Sequence, residues 1–434
     1  MDVTSDGRRA VNGSLTRDRK FELAAVSGKL EIATPTIYKY IQQGPPPSAK
    51  RYGIEGRCKM AMSRRAVVKG IAAASAITVI PAAPSGFLGD PPSSLSSLDD
   101  IFKSSIIIDD LSGFDPKPSL PDAGFSVVKE SGITIVGPTL GDVEPETAFH
   151  TTVEELGKTA ELISRYPDRM MLIRSFPDIA KAKQENKLGV LANVQNSACI
   201  GRDLKNLDLF YSLGLRQIQL TFNWRNWVGD GCTERTQAGL SYFGVDMVKR
   251  MNELGMIVDV GHTGYQSTLD AVEVSGKPIV YSHTNCKALC DHPRNKTDEQ
   301  IKALARKGGV IGLSCFNWFV SDRPRSTLDD LLNHFDHVAK LVGTDYIGIG
   351  SDFSVAGWPG REPDAEWESH RKIYSEREWK TIKGRFPPYI NEVNNPRRYH
   401  TIAEGLQKRG WKLEDIAKIL GLNLVRVYKE VLKS

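Results

Sequence analysis

The stretch SHTNCKALCDHPRNKTDEQIKALARKGGVIGL, residues 282–313, contains a strand end, a polar loop, a helix and a second strand. An apolar run at 278–281 precedes it, so the imidazole of His283 is expected to project from the carboxyl end of a strand. Enzymes built from alternating strands and helices place their chemistry at that end. Arg294, further along the loop, is therefore expected near the same site.

The helix within this stretch has start and stop signals. Thr297 with Gln300 three residues later forms a capping-box pattern, which predicts a helix start. Gly308-Gly309 predicts its end, and residues 310–313 read as the next strand. The stretch is thus one strand–loop–helix–strand unit.

The same unit recurs from residue 106 onward. Continuously apolar runs separated by amphipathic stretches predict a parallel sheet covered by helices, and eight runs predict an α/β fold closed as a (β/α)8 TIM-type barrel. The predicted strands are 106–109, 133–136, 190–194, 217–221, 257–260, 279–282, 310–314 and 346–350. The amphipathic stretches are 152–166, 204–213, 242–254, 266–274 and 328–341. C-terminal helices are predicted at 397–409, 413–420 and 424–432, and the polar, Pro-rich segment 356–396 is expected over the barrel mouth.

The bulk composition is that of an ordinary soluble protein, and the chain is too long for one small domain. A chain of 434 residues that is 40% hydrophobic can bury a large core. The net charge of +5 comes partly from the basic N-terminal region, so we expect no nucleic acid partner for the main domain. Residues 21–51 weakly resemble a helix-turn-helix, which leaves a DNA-binding module or an untranslated leader open for residues 1–59.

Residues 60–98 read as an export signal and linker. Arg64-Arg65, the uncharged run 70–80 and the small residues after it have the order of a twin-arginine signal, although a chance basic-apolar junction gives the same pattern. The run is too short for a stable membrane anchor. We therefore predict translation from Met60 or Met62, export to the periplasm, and a barrel domain at 99–434.

Four side chains are predicted at the barrel's carboxyl end. His262 follows the fifth strand, His283 the sixth, and Asp352 ends the eighth. Two imidazoles on neighbouring strand ends suit zinc, and a facing carboxylate can hold or deprotonate a water. Arg294 is interpreted either as a clamp for a substrate carboxylate or as the partner of Asp291 in an ion pair. A lone histidine here reads as a strand cap, but three such groups together favour a site.

These motifs resemble the membrane (renal) dipeptidase family of zinc metallopeptidases. The resemblance rests on ALCDHPRN at 288–295, GGVIG at 308–312, DVGH at 259–262 and YIGIGSDF at 346–353. It implies a small peptide-like substrate and a site that holds two metal ions. It extends from about residue 106 to the C-terminus.

The chain departs from that pattern at several positions. Leu111 and Gly113 replace the family's His and Asp ligands after the first strand, and Gln195 replaces its bridging glutamate. Phe222, followed by Asn223, replaces a substrate-contacting histidine. We therefore expect one zinc ion or none, held by His262 and His283 with Gln195 as a weak ligand, and substrate contacts from Phe222, Asn223 and Arg294. Asp109, Asp110 or Asp115 remain alternative ligands.

Two functions follow as hypotheses. The first is an exported dipeptidase-like hydrolase that acts on a dipeptide or related small amide with a free carboxylate. The second is a tailoring enzyme or a binding protein for a peptide-derived metabolite on the same fold. Monomer and homodimer both remain open.

Overall fold

The computed structural model describes residues 95–114, 121–358 and 387–434. Contacts divide the chain between Ile80 and Pro81, and every described residue belongs to the second unit. The leader, the twin-arginine signal, Asp115 and most of the segment expected over the barrel mouth lie outside the described residues.

The described strands form one closed set of parallel pairings. They are β1 (Ile108–Asp109), β2 (Ile135–Val136), β3 (Met170–Leu172), β4 (Leu188–Val190), β5 (Asn193–Val194), β6 (Gln217–Gln219), β7 (Ile257–Asp259), β8 (Val280–Thr284), β9 (Val310–Leu313) and β10 (Ile347–Ile349). The two sheets run in the orders β1-β2-β4-β3 and β10-β9-β8-β7-β6-β5. β4 and β5 are halves of one strand, and a hydrogen bond from Asp110 N to Ile349 O joins β1 to β10. The predicted α/β barrel is confirmed.

β3 was not predicted. It is three residues long and pairs in parallel with β4, on the side where β5 pairs with β6. Met171 and Leu172 of this strand are only partly buried. A short strand outside the barrel wall carries too few buried residues to stand out as an apolar run.

The described helices surround the strands. They are α1 (Leu98–Ser104), α2 (Pro121–Ser131), α3 (Ala148–Arg165), α4 (Phe176–Gln184), α5 (Lys205–Leu213), α6 (Tyr242–Leu254), α7 (Tyr265–Val274), α8 (Asp298–Arg306), α9 (Asn317–Val320), α10 (Leu328–Val342), α11 (Arg398–Lys408), α12 (Leu413–Ala417) and α13 (Asn423–Val431). The capping box that predicted α8 is present, with Thr297 and Gln300 each bonded to the other's backbone. No described helix is long and apolar enough to cross a membrane.

The helix predicted at 413–420 is shorter than expected. It ends at Ala417 and widens into a π turn, Lys418–Leu422. Gly421 lies in this turn against the barrel, where an added Cβ would be 2.1 Å from Ile106 O. The close approach of the two backbones explains why the regular helix stops here.

The C-terminal helix closes the amino-terminal end of the barrel. Leu424, Val427, Tyr428 and Val431 of α13 pack in one buried cluster with the first residues of five strands, Ile108, Ile135, Ile257, Val280 and Val310. Burying these side chains excludes water from that end. The opposite end, where the strands finish, is left for polar side chains.

Candidate functional site

Two histidines meet at the carboxyl end of neighbouring strands. His262 follows β7, and His283 is the fourth residue of β8. Their Nε2 atoms lie 2.9 Å apart, and both side chains are buried, with 6% and 0% of their surface exposed. The barrel brings together two residues that lie 21 positions apart in the sequence.

Each imidazole is oriented through its Nδ1 atom. Asn223 Oδ1 lies 2.7 Å from His262 Nδ1, and Ser282 Oγ lies 2.7 Å from His283 Nδ1. Ser282 Oγ donates to Asp259 Oδ2 at 2.5 Å, so it accepts the proton of His283 Nδ1. An amide oxygen is likewise an acceptor for His262. Both imidazoles therefore carry their proton at Nδ1 and a lone pair at Nε2.

The facing lone pairs fit a metal ion. Two such lone pairs repel at this distance unless a positive group lies beside them. Burial, followed by the nearby charge of Arg294, lowers the pKa of both histidines well below the usual range, which keeps them neutral. Neutral imidazole nitrogens are ligands that zinc accepts. The pair therefore fits one ion of this kind.

The described residues do not extend this pair into a larger acidic site. Among them, no group of three or more His, Cys, Asp or Glu side chains is placed to hold a metal. Gln195 supplies an amide instead, with Nε2 at 3.1 Å from His283 Nε2. An amide adds no negative charge to hold two cations together.

Gln219 links the strands that carry these groups. Its Nε2 donates to Gln195 O at 2.5 Å, and its Oε1 accepts from His262 N at 3.1 Å. Asp259 Oδ1 accepts from the backbone N–H groups of Gly261 and Ser282. These bonds fix the ends of β5, β7 and β8 against one another.

Phe222 covers one face of His262. The two rings are stacked, with centroids 4.3 Å apart and an angle of 22° between the planes. Phe222 is 6% exposed. An apolar ring therefore occupies the position where the resemblance expected a histidine.

Arg294 is buried beneath the histidines. Its two terminal nitrogens donate to Gly261 O at 2.6 Å and to His283 O at 2.9 Å. Arg294 does not form the ion pair with Asp291 that the sequence allowed. Asp291 pairs with Lys287 at 2.6 Å instead. Binding of a substrate carboxylate by Arg294 stays a prediction.

Asp352 lines a cavity of about 360 Å³ together with Leu111, Gly113, Gln195 and Trp358. Its φ of +66° is uncommon for a residue with a side chain, and its N–H donates to Leu111 O at 2.9 Å. Burial raises the pKa of its carboxyl to about 7, while Arg294 opposes that shift. Asp352 therefore exchanges its proton near neutral pH.

The aspartates at the end of β1 hydrogen-bond to two tyrosines and a serine that do not line this cavity. Asp109 accepts from Tyr399 Oη at 2.7 Å and from Ser351 N at 2.8 Å. Asp110 accepts from Tyr428 of the C-terminal helix. Neither residue lines the cavity that contains Asp352. Asp115 lies outside the described residues.

The sequence reasoning gave no role to Asp259, Ser282 or Gln219. Asp259 and Ser282 determine which ring nitrogen of His283 carries the proton. Gln219 hydrogen-bonds to the backbones of Gln195 and His262 and so fixes their positions. Their positions in the sequence were the available signal, because Ser282 directly precedes His283 and Asp259 lies three residues before His262, both near strand ends.

A (β/α)8 barrel that presents imidazole lone pairs at its carboxyl end has the architecture of a metal-dependent hydrolase. The comparison with known proteins agrees with a metal-dependent hydrolase. The family described as "Membrane dipeptidase (Peptidase family M19)" matches residues 128–365. The chain belongs to this family.

Individual relatives cover the barrel. The chain is 26% identical over 293 residues to Dipeptidase tcpJ of Claviceps purpurea (strain 20.1), which covers 67% of this chain and 62% of that relative. It is 31% identical to an amidohydrolase from Pseudomonas aeruginosa, whose crystal structure gives a TM-score of 0.68 and covers 77% of this chain and 98% of that chain. A metallo peptidase from Rhodobacter sphaeroides, liganded with a phosphinate mimic of the dipeptide L-Ala-D-Ala, has the same fold, with a TM-score of 0.63, 17% identity and 75% and 99% coverage.

Proposed function

We propose that this chain is an exported dipeptidase-like hydrolase whose site holds at most one metal ion. Its substrate is a dipeptide or a related small amide with a free carboxylate. The observation that carries the proposal is the His262–His283 pair, with both lone pairs facing each other and both Nδ1 atoms hydrogen-bonded. Gln195 contacts His283 and also lines the cavity that contains Asp352, so the pair adjoins space for a substrate.

The chain's own groups have separate roles in this proposal. A bound zinc ion would polarise the scissile carbonyl as a Lewis acid. The Asp352 carboxylate takes a proton from the attacking water and returns it to the leaving amine. Arg294 holds the substrate carboxylate once its bonds to Gly261 O and His283 O are exchanged for it. Phe222 limits the space beside His262.

The missing ligands predict slow cleavage. In amide cleavage a two-metal site activates the attacking water and stabilises the oxyanion that forms on the scissile carbonyl, so the loss of one ion and of the bridging charge removes several kcal/mol of that stabilisation. The neutral wall of Leu111, Gly113 and Gln195 also supports a second candidate function, which is binding or tailoring of a peptide-derived metabolite without peptide hydrolysis.

Release of free amine from a panel of dipeptides tests the proposal. The full chain is assayed with zinc and after chelation, and carboxamide analogues serve as controls. We expect slow, zinc-dependent cleavage of the acids only. Calorimetric binding of the same dipeptides without cleavage would instead support the second function.

A further inference from the structure

A second cavity lies on the far side of the loop that follows His262. Its volume is about 260 Å³, and its wall includes Cys232, Thr263, Lys287 and Lys296. None of its lining residues also lines the cavity that contains Asp352. At about 30 Å³ per water molecule, the space corresponds to roughly nine waters. It is large enough for a small organic or inorganic ligand.

Lys296 is the buried cation of this cavity. Only 2% of its surface is exposed. Its Nζ donates to Thr263 O at 2.7 Å and to Thr268 Oγ1 at 3.2 Å, and it lies 5.3 Å from the ring centroid of Tyr281. An ammonium group has three N–H donors, and these bonds use two of them.

No described carboxylate forms an ion pair with this ammonium, although the charge of the buried Asp259 lies near enough to raise the pKa of Lys296. Among the residues that the structure describes, Lys296 forms no ion pair, and no Asp or Glu lines the cavity. Lys287 adds a second ammonium at the wall, partly exposed and paired with Asp291. The described residues that line the cavity therefore include two lysines and no acidic side chain.

A buried cation without an ion-pair partner is unfavourable. Burial lowers the pKa of Lys296 to about 7 and the charge of Arg294 acts in the same direction, whereas Cys232 and the carboxylate of Asp259 oppose the shift. The titratable and charged groups that act on Lys296 or lie against it are Cys232, Tyr281, Arg294, Asp259, His262 and His283. An anion in the cavity would stabilise the charged form and accept its third N–H.

We propose that this cavity binds a small oxyanion, a carboxylate or a phosphate group, with the Lys296 ammonium as its principal donor. The bound anion lies one residue from the candidate metal ligand His262, since Lys296 holds the carbonyl of Thr263. Cys232 N also donates to His262 O at 2.8 Å. Two residues that line the cavity, Cys232 and Lys296, therefore hold the backbone at His262 and at Thr263. The site is separate from the carboxylate contact proposed for Arg294.

Calorimetry on the full chain with acetate, inorganic phosphate and acetamide tests this site. We expect an anion to bind and neutral acetamide not to bind, and the tighter of acetate and phosphate identifies the group. Because only the protonated amine donates to the anion, the affinity for acetate should fall as the pH rises through the pKa of Lys296. Acetate binding above the pKa of Lys296 should therefore be accompanied by proton uptake.

Variants locate the binding. Lys296→Met and Lys296→Gln should lose it, and the Gln variant keeps a donor for Thr263 O if the Met variant fails to fold. Lys302→Met removes an exposed charge from α8, the helix that begins just after Lys296, and should bind as the wild type does. Absence of anion binding by the wild type, or binding unchanged in both Lys296 variants, would overturn the proposal.

Discussion

The Nε2 atoms of His262 and His283 lie 2.9 Å apart, and each ring donates from Nδ1 to a fixed oxygen. Neither Nε2 atom carries a proton, so the two rings do not hydrogen-bond to each other through these atoms. The pair therefore favours a cation, and among the described residues no group of three or more His, Cys, Asp or Glu side chains is placed to hold a metal.

We predict at most one metal ion per barrel in protein purified without chelator. His262→Ala or His283→Ala should reduce the content to near zero, because each removes one of two imidazole ligands. His337→Ala, on α10 and paired with Asp298, is the matched control and should leave it unchanged. Elemental analysis measures this, and two zinc equivalents in the wild type would contradict the reduced site.

Restoring the absent ligands should raise the metal content. Leu111→His, Gly113→Asp and Gln195→Glu together supply the side chains found in the family pattern. An added Cβ at Gly113 meets nothing within 4 Å, so this position has room for a side chain. We expect the triple variant to bind two ions and to cleave dipeptides faster than the wild type. An unchanged metal content would show that the loop after β1 is not placed for ligation.

Asp352 should control turnover more than affinity. Asp352→Asn keeps the shape but cannot accept a proton, so dipeptide binding should persist while turnover is lost. Because the carboxyl has a pKa of about 7, wild-type kcat/KM should rise with pH below 7 and level off above it. A profile without this rise would exclude Asp352 as the base.

The same carboxyl should also affect stability. Its folded pKa lies above the ordinary value of 3.8, so between those values the folded state holds more protons than the unfolded state. Its contribution to the free energy of unfolding is therefore present below pH 4 and is lost as pH rises through 7. Urea unfolding at pH 5 and pH 8 should show a smaller loss in Asp352→Asn than in the wild type.

Arg294 should determine the preference for a free carboxylate. We expect the wild type to bind dipeptides more tightly than their carboxamides, and Arg294→Ala to lose that difference at a cost of about 2–5 kcal/mol for the acid if the pair is buried. The variant should also be less stable by about 1–3 kcal/mol for each backbone carbonyl left without a donor. Calorimetry and unfolding separate the two effects. Equal wild-type affinity for acid and amide would refute the clamp.

Export should depend on the paired arginines. A reporter fused after Pro84 should reach the periplasm, and an Arg64→Lys, Arg65→Lys double variant should remain in the cytoplasm because the receptor reads guanidinium groups. Cell fractionation measures this. A matched Lys69→Arg variant should still be exported. Export of the double variant at the wild-type level would leave the twin-arginine proposal without support.

Much of the fold could be predicted from the sequence because the positions of strands and helices depend on local periodicity. Apolar runs at the strand positions and the Thr297–Gln300 capping box are encoded within a few residues, and both predictions are confirmed. β3 was missed because it is a short strand outside the barrel wall.

The sequence alone also determined which ligand types are missing. Leu111, Gly113 and Gln195 lack a metal-binding charge in any conformation. Only the tertiary structure decided the protonation pattern of the pair, because Asn223 reaches His262 across 39 residues and Asp259 reaches Ser282 across 23. It also decided that Asp109 and Asp110 bond to Tyr399 and Tyr428, which lie 290 and 318 residues away. Periodicity specifies which residues form strands and helices, but barrel closure sets the distances between side chains on different strands, and those distances determine hydrogen bonding and pKa.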